Sequence, residues 1–340
     1  MEFFDNHKKL FPAALLFYLI LTLFVVISPA LNIQKNNAPL PGSTALSEDA
    51  EKGKLIFIAN GCVACHTQQV RNVGMDKTWG ARPSVAADYA RTHRTSFLQN
   101  TATLMGTERT GPDLTNIGSR QPLESWHLVH LFNPRTVVKE SIMPAYPWLF
   151  DIKDSADKGD VVVSVPDEFM EGAKGKVVAT REALQLVAYL QSLKQVELPD
   201  GRPVPQFLYP IKKTEAVAGA GGQPAAPDGA ALYATNCQSC HQANGEGLKG
   251  AFPPLKGSPV VQDDNPELQV NIIMNGYSGR IKEGYGPMPA VGTNNNLSAE
   301  EITAIINHER SSWGNTGKKA ELANIDKLIL SIKSISTDKK

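Results

Sequence analysis

Two stretches decide how this chain is built: GCVACHTQQV (61–70) and TNCQSCHQAN (235–244). Between them they hold all four cysteines, Cys62, Cys65, Cys237 and Cys240, in two C-x-x-C pairs, each followed at once by a histidine, His66 and His241. C-x-x-C-H is the attachment signature of c-type haem. The two thiols add to the vinyl groups of the porphyrin, and the adjacent histidine lies under the iron as its proximal ligand. A zinc ribbon also uses two such pairs, but roughly 15–20 residues apart, whereas 175 residues separate Cys62 from Cys237. A thioredoxin-like redox pair needs a βαβ setting and has no use for the histidine. A disulfide framework suits a short secreted fold rather than a chain of 340 residues. The cofactor expected is therefore two covalently attached haem c groups.

The chain around the two motifs follows one plan. Before the first, Ser47 is expected to cap a helix carrying Glu48, Asp49 and Glu51 in its first turn and running through EKGKLIFIAN (51–60) into Cys62. In REALQLVAYLQSLK (181–194), Leu186, Val187, Leu190 and Leu193 share one helical face. Before the second motif stands GAALYATN (229–236); after it, NPELQVNIIMNG (265–276) and LSAEEITAIINHERSSWGN (297–315) predict helices. Ser298 and Glu301 form a capping-box pair in the latter. A helix leading into C-x-x-C-H and an apolar helix closing the domain resemble class I cytochrome c, and here the pattern occurs twice. KKTEAVAGAGGQPAAPDG (212–229) lies between, rich in Gly, Ala and Pro, and reads as a flexible linker.

A haem that shuttles electrons needs a second axial ligand, and a Met/His pair raises the reduction potential. The thioether must arrive on a stiff loop, and proline supplies stiffness. YGPMPAVG (285–292) offers Met288, 47 residues after His241, at a spacing that resembles compact class I cytochromes. IMPAYPW (142–148) offers Met143 to the first haem, with Met75 and Met105 as competitors and His93, His127 and His130 as bis-histidine alternatives. In cytochromes c a proline carbonyl accepts the proximal imidazole Nδ1–H. The resemblance implies Pro112, in GPDLTNIG (111–118), and Pro253, in FPPLKGSP (252–259), through a shared P-x-L register. The first domain thus carries an insertion over 67–110, with Arg71, Arg82, Arg91, Arg94 and Arg109. It reads either as a solvated loop or as a docking surface.

Thirty-four basic residues balance 34 acidic ones, which argues against a nucleic-acid partner. Residues 11–33 (FPAALLFYLILTLFVVISPALNI) carry no charge, long enough to span a bilayer. Lys8 and Lys9 precede them, placing the N-terminus in the cytoplasm and the haem motifs outside it. A cleaved signal peptide is the competing reading, with Pro29 and the length of the run against it. The expected fold is mainly α: an anchor over 1–33, a tether over 34–46, a first cytochrome c domain over 47–211, a linker over 212–228, a second cytochrome c domain over 229–315, and a helical tail over 316–340.

With GCVACHTQQVR, MGTERTGPDLTNIG and HLFNPRTVVKESIMPAYPWLF assembled, residues 1–195 resemble the membrane-anchored mono-haem cytochrome c subunit (subunit II) of cbb-type haem–copper oxidases. The family pattern falls on Cys62, Cys65, His66 and Met143. It implies an electron-transfer subunit with no catalytic oxygen site of its own, held in a bacterial inner membrane with its haem domains on the periplasmic side. Its partners would be the catalytic haem–copper subunit and a donor cytochrome c or bc-type complex. The chain departs from the pattern in adding the second domain, which looks like an internal substitute for part of a separate di-haem subunit. Competing functions are a membrane-tethered di-haem carrier for another complex, such as a nitric oxide reductase, and a di-haem peroxidase. The two Met-Pro loops argue against the peroxidase, which needs an open haem.

Overall fold

The structure, a computed structural model, describes residues 6–36, 45–92, 104–170, 172–198, 203–208 and 227–337. Most of the tether, most of the linker, His93 and Arg94 lie outside the described residues, as does the side chain of Arg91. The chain divides into two units, one comprising residues 1–45 with 85–104 and the other 46–84 with 105–340.

The first unit is dominated by one helix. His7–Leu21, Thr22–Ile27 and Ser28–Asn36 run on as α1 (7–36), with a wide π turn in the middle segment. Pro29 explains that turn: it cannot donate to the carbonyl four residues back and its ring crowds it, and the widened turn lies immediately before it. His7–Ile33 is, among the described residues, the helix long and apolar enough to cross a membrane. Phe11, Leu15, Phe17 and Phe24 all stand exposed along it.

The second unit holds both haem motifs. In the first domain α2 (Glu48–Ala59) crosses α4 (Arg181–Ser192). They touch so closely at Gly53 that a Cβ there would lie 1.9 Å from the Gln185 carbonyl oxygen. Phe57 and Tyr189 meet edge-to-face at 5.5 Å beside this crossing. Ser47 caps α2 by accepting from Ala50 N, as its sequence predicts, and Thr180 does the same for α4. Between them stands α3 (Glu124–Phe132). A small antiparallel sheet follows: β1 (Phe150–Lys153), β2 (Val162–Val163) and β3 (Lys176–Ala179), in order β1-β3-β2. These strands were not anticipated. They are too short for a two-residue alternation to register, and only contact with the rest of the domain selects them.

The second domain repeats the crossing with α5 (Gly229–Asn236) and α7 (Ala299–Ser311), where a Cβ on Gly229 would lie 2.2 Å from the Ala304 carbonyl oxygen. Ser298 and Glu301 form the full capping box. With α6 (Glu267–Asn275) they enclose a core of Val270, Ile273, Met274, Ile302 and Ile306. The tail is the helix α8 (Leu322–Thr337), whose Ile325 and Ile329 enter the same core. It is thus a structural element of the second domain rather than an appendage.

The described part of the insertion is not simply a solvated loop. Asp76 is fully buried and receives Arg71 (N, Nε and Nη2 at 2.6, 3.3 and 3.1 Å) and Arg109 Nη1 at 2.6 Å. Burial pushes its carboxyl up, but the hydrogen bonds from the two arginines outweigh that and hold it below the usual range. Arg82, buried, donates to the carbonyls of Pro83 and Val196. Three of the five arginines thus also tie the insertion together, Arg82 from inside the domain and Arg71 from its exposed surface. Composition does not reveal which buried acid each one meets.

Candidate haem centres

The histidine of each C-x-x-C-H is held in the same way. His66 Nδ1 lies 2.8 Å from the carbonyl oxygen of Pro112, 46 residues on, and His241 Nδ1 lies 2.9 Å from that of Pro253, 12 residues on. A carbonyl only accepts, so Nδ1 carries the proton and Nε2 presents its lone pair, as an axial ligand requires. Burial, partly offset by these bonds, keeps both imidazoles below the ordinary histidine range and therefore neutral at pH 7.

The backbone around His66 is shaped to the ring. Gly111 passes so near that a Cβ would sit 2.3 Å from the imidazole Cε1, and its N–H donates to Cys65 O at 2.9 Å. Asp113 fixes the Pro112 peptide from the other side. Its carboxylate accepts from Thr67 Oγ1, Gln69 N and Thr115 N at 2.6, 2.7 and 2.8 Å. Around His241 the corresponding turn is closed by Leu248 and Phe252, whose backbones pair at 2.9 and 2.7 Å.

A cavity of about 450 Å³ opens in the second domain, lined by Cys237, Cys240, His241, Pro253 and Met288. It falls in the usual range of cofactor pockets, roughly 300–1,000 Å³. A mainly apolar cleft with two thiols, an oriented imidazole and a thioether on its walls fits a covalently held haem. Met288 is clamped by reciprocal backbone bonds with Tyr277 (2.7 and 3.0 Å). Behind it, Gly276, at φ +76°, leaves no room for a Cβ, which would lie 2.5 Å from the Met288 carbonyl oxygen.

In the first domain Met143 is half-buried, its N–H donating to Ser141 Oγ at 3.3 Å. Its loop is tied to α3 by Tyr146 N–Leu131 O at 3.0 Å and to the end of α2 by Trp148 Nε1–Asn60 Oδ1 at 3.0 Å. Tyr146 lies against Cys62, so the loop bearing Met143 folds over the first motif. Met75 and Met105 are exposed, with Met75 Sδ 3.9 Å from Arg71 Nη2. Burial pushes the Cys62 and Cys240 thiols up to about 11 and Cys237 well above its ordinary value. As free thiols these are neutral, unlike the thiolates of a dithiol redox catalyst.

The two bis-histidine alternatives within the described residues have other surroundings. His127 is buried and donates from Nε2 to Gln121 O at 2.8 Å, its pKa lowered to about 4 by burial. His130 stacks on Trp126, ring centroids 4.6 Å apart, with its pKa lowered to about 3 by burial.

Sequence reading did not single out the residues that join the two domains. Gln121 Nε2 reaches Cys240 Sγ at 3.6 Å, and Trp126 Nε1 donates to Ser239 O at 3.2 Å, both inside the second C-x-x-C-H. Asn294 Nδ2 donates to Ser119 O at 2.7 Å. Arg120 and Gln121 themselves form part of the cavity wall. The signal available was ESWHLVHLF (124–132), whose Trp126 and His130 fall four apart on one helical face.

Comparison with known proteins agrees with this geometry. Residues 2–169 match the family described as cytochrome c oxidase, mono-haem subunit/FixO, and residues 224–308 match cytochrome c oxidase, cbb3-type, subunit III. Cytochrome c-552 of Thermus thermophilus is 36% identical over 95 residues, 27% of this chain and 72% of that protein. Cytochrome c6 of Microcystis aeruginosa is 32% identical over 81 residues, 24% of this chain and 89% of that protein. The cytochrome c subunit of the quinone-dependent alcohol dehydrogenase of Gluconacetobacter polyoxogenes is 36% identical over 154 residues, 42% of this chain. The match spans about a third of that subunit's length, 31%.

Proposed function

The chain belongs to the c-type cytochrome subunits of cbb3-type oxidases, as a FixO-type mono-haem subunit with a second cytochrome c domain, and on that basis we propose that it carries two haems and relays electrons to a catalytic haem–copper subunit for oxygen reduction. The observation that carries this reading is the duplicated His–Pro pair, at 2.8 and 2.9 Å, each beside its own C-x-x-C-H. Haem c, when bound, supplies one-electron chemistry between iron(II) and iron(III). The protein's own part is to hold it. Cys62 and Cys65, and Cys237 and Cys240, provide the thioether bonds. His66 and His241 provide proximal nitrogens whose tautomer is set by Pro112 and Pro253. Met143 and Met288 provide the sixth ligands on proline-stiffened loops.

Placement follows from the anchor. α1 spans the inner membrane with the haem domains on the periplasmic side, and the short tether keeps the first domain near the bilayer. Electrons then arrive at the second domain from a donor cytochrome or bc-type complex, pass to the first, and leave to the catalytic subunit. The test is purification from membranes, with identification of the accompanying subunits and haem content per chain. A catalytic haem–copper subunit and two haems are expected. Met143→His and Met288→His should each remove part of the weak Met–iron(III) band at the red edge of the visible spectrum. A band untouched by both changes refutes the ligand assignment.

A further inference from the structure

The seam between the two haem domains contains a nearly continuous bonded route from one haem motif to the other. It starts at Cys240 Sγ, 3.6 Å from Gln121 Nε2. Gln121 is covalently joined to Arg120, whose Nη2 donates to Asp113 O at 2.7 Å. Asp113 is covalently joined to Pro112, whose carbonyl accepts from His66 Nδ1 at 2.8 Å. Three short through-space steps thus link a thioether sulfur of one haem to the axial imidazole of the other. The route is rigid at both ends. Asp113 is fully buried and its carboxylate held by three donors, and Gln121 is buried with its own carbonyl bonded to His127 Nε2 at 2.8 Å. Arg120 Nε is buried and has no hydrogen-bond partner. Burial lowers the Arg120 pKa to about 10, against the charge of Asp113.

We infer that Gln121 and Arg120 are the positioning residues for electron exchange between the two haems, the contact through which the second domain is coupled to the first. The inference rests on the two-haem reading. In the step itself one electron leaves the iron of the second haem, oxidised from iron(II) to iron(III), and the iron of the first is reduced from iron(III) to iron(II). No bond is made or broken. Trp126, donating to Ser239 and stacked on His130, provides a parallel contact that does not include either residue, and so an internal comparison.

The experiment uses the full chain in detergent, with haem content measured first. Photoreduction by a flavin semiquinone is followed by the concentration-independent redistribution of the electron between the two haems. Gln121→Leu and Arg120→Met should each slow that phase severalfold, with two haems retained and both midpoint potentials titrated to correct for driving force. Arg120→Lys, which keeps a donor and the charge, should restore part of the rate, which a purely structural role does not predict. Trp126→Leu should slow it less. Two haems with unchanged redistribution in Gln121→Leu and Arg120→Met overturn the bridge while leaving the two-haem reading intact, as does a larger loss in Trp126→Leu. A chain with one haem overturns both.

Discussion

The two C-x-x-C-H domains reach one geometry with different amounts of chain. The motif histidine and its proline carbonyl are 46 residues apart in the first and 12 in the second, yet the contact is 2.8 Å in one and 2.9 Å in the other. What the domain must conserve is therefore the terminus of the loop, not its length. In the second, a tight turn suffices. In the first, the added chain brings a rigid centre of its own, the buried Asp76 with Arg71 and Arg109, and Arg109 also reaches Thr67 Oγ1 at 2.8 Å, next to the haem motif. The Met-Pro loops differ in the opposite sense. Met288 is clamped on both its backbone groups by Tyr277, whereas the loop of Met143 is tied through its neighbours Tyr146 and Trp148.

Asp76 is where this difference is most easily broken. Removing it with Asp76→Ala takes the nearest carboxylate from the half-buried Arg109, leaving it Asp113 at 3.8 Å, and the loss of one partner from a buried pair costs about 3 kcal/mol. Amide hydrogen exchange should show lowered protection in the first domain, for instance at Tyr189, and unchanged protection at Ile306 in the second. Equal loss in both would mean that the insertion supports the whole unit.

The helix crossings come next. Gly53→Ala forces a Cβ against three atoms within 3 Å, two of them backbone, at the centre of α2, and overpacking of this kind costs ~1–3 kcal/mol. Gly229→Ala meets the Ala304 carbonyl oxygen and carbon at 2.2 and 2.9 Å, a slightly looser contact, and at the first turn of α5, where the chain end yields more easily. The first substitution should lower the melting temperature more than the second. The reverse order would show that α5 and α7 are the less compliant pair.

The domains should also respond to pH with opposite signs. Asp76 is held below its ordinary value. The stability it contributes is present above the unfolded carboxyl value of ~3.9 and is lost as pH falls through the lower folded one. Glu309 of the second domain is buried, and burial raises its pKa to about 7 against the donation from Gln269 Nε2 at 2.8 Å. Between about 4.5 and 7 the folded state binds the extra proton, so stability falls as pH rises through that window. Protection at Ile306 should decrease from pH 5 to pH 7.5, and Glu309→Gln should flatten that slope. A slope unchanged in Glu309→Gln would place its origin elsewhere.

How much of this could be read from the sequence follows the range of the interaction. The attachment motifs, the capping residues Ser47 and Ser298, and the prolines opposite His66 and His241 were legible because each signal is local or repeats between the domains. Helix ends moved by up to four residues, as with α7, expected over 297–315 and found as Ala299–Ser311. The sheet, the inward arginines and the seam through Gln121 and Trp126 were not legible. The strands pair residues 14 to 29 apart, and Arg109 and Trp126 meet Asp76 and Ser239 more than 30 residues away; no periodicity reports such a meeting.

The smallest expected effect concerns the caps. Ser47 accepts one bond, from Ala50 N at 3.2 Å. Ser298 accepts from Glu301 N at 3.3 Å while Glu301 Oε2 receives Ser298 N at 2.8 Å, so two otherwise orphaned donors are satisfied reciprocally. Replacing a capping serine by alanine costs about 1 kcal/mol. Ser298→Ala removes only the serine's share and leaves the Glu301 bond to the backbone. Glu301→Ala removes the other half. If the box acts as a unit, the double variant should lose less than the sum of the two singles, because each single already loosens its partner. Ser47→Ala should cost about as much as Ser298→Ala alone, since both delete one acceptor at a helix start. A clearly larger loss for Ser47→Ala would show that the end of α2, on the path into Cys62, is under greater strain than its single cap bond indicates.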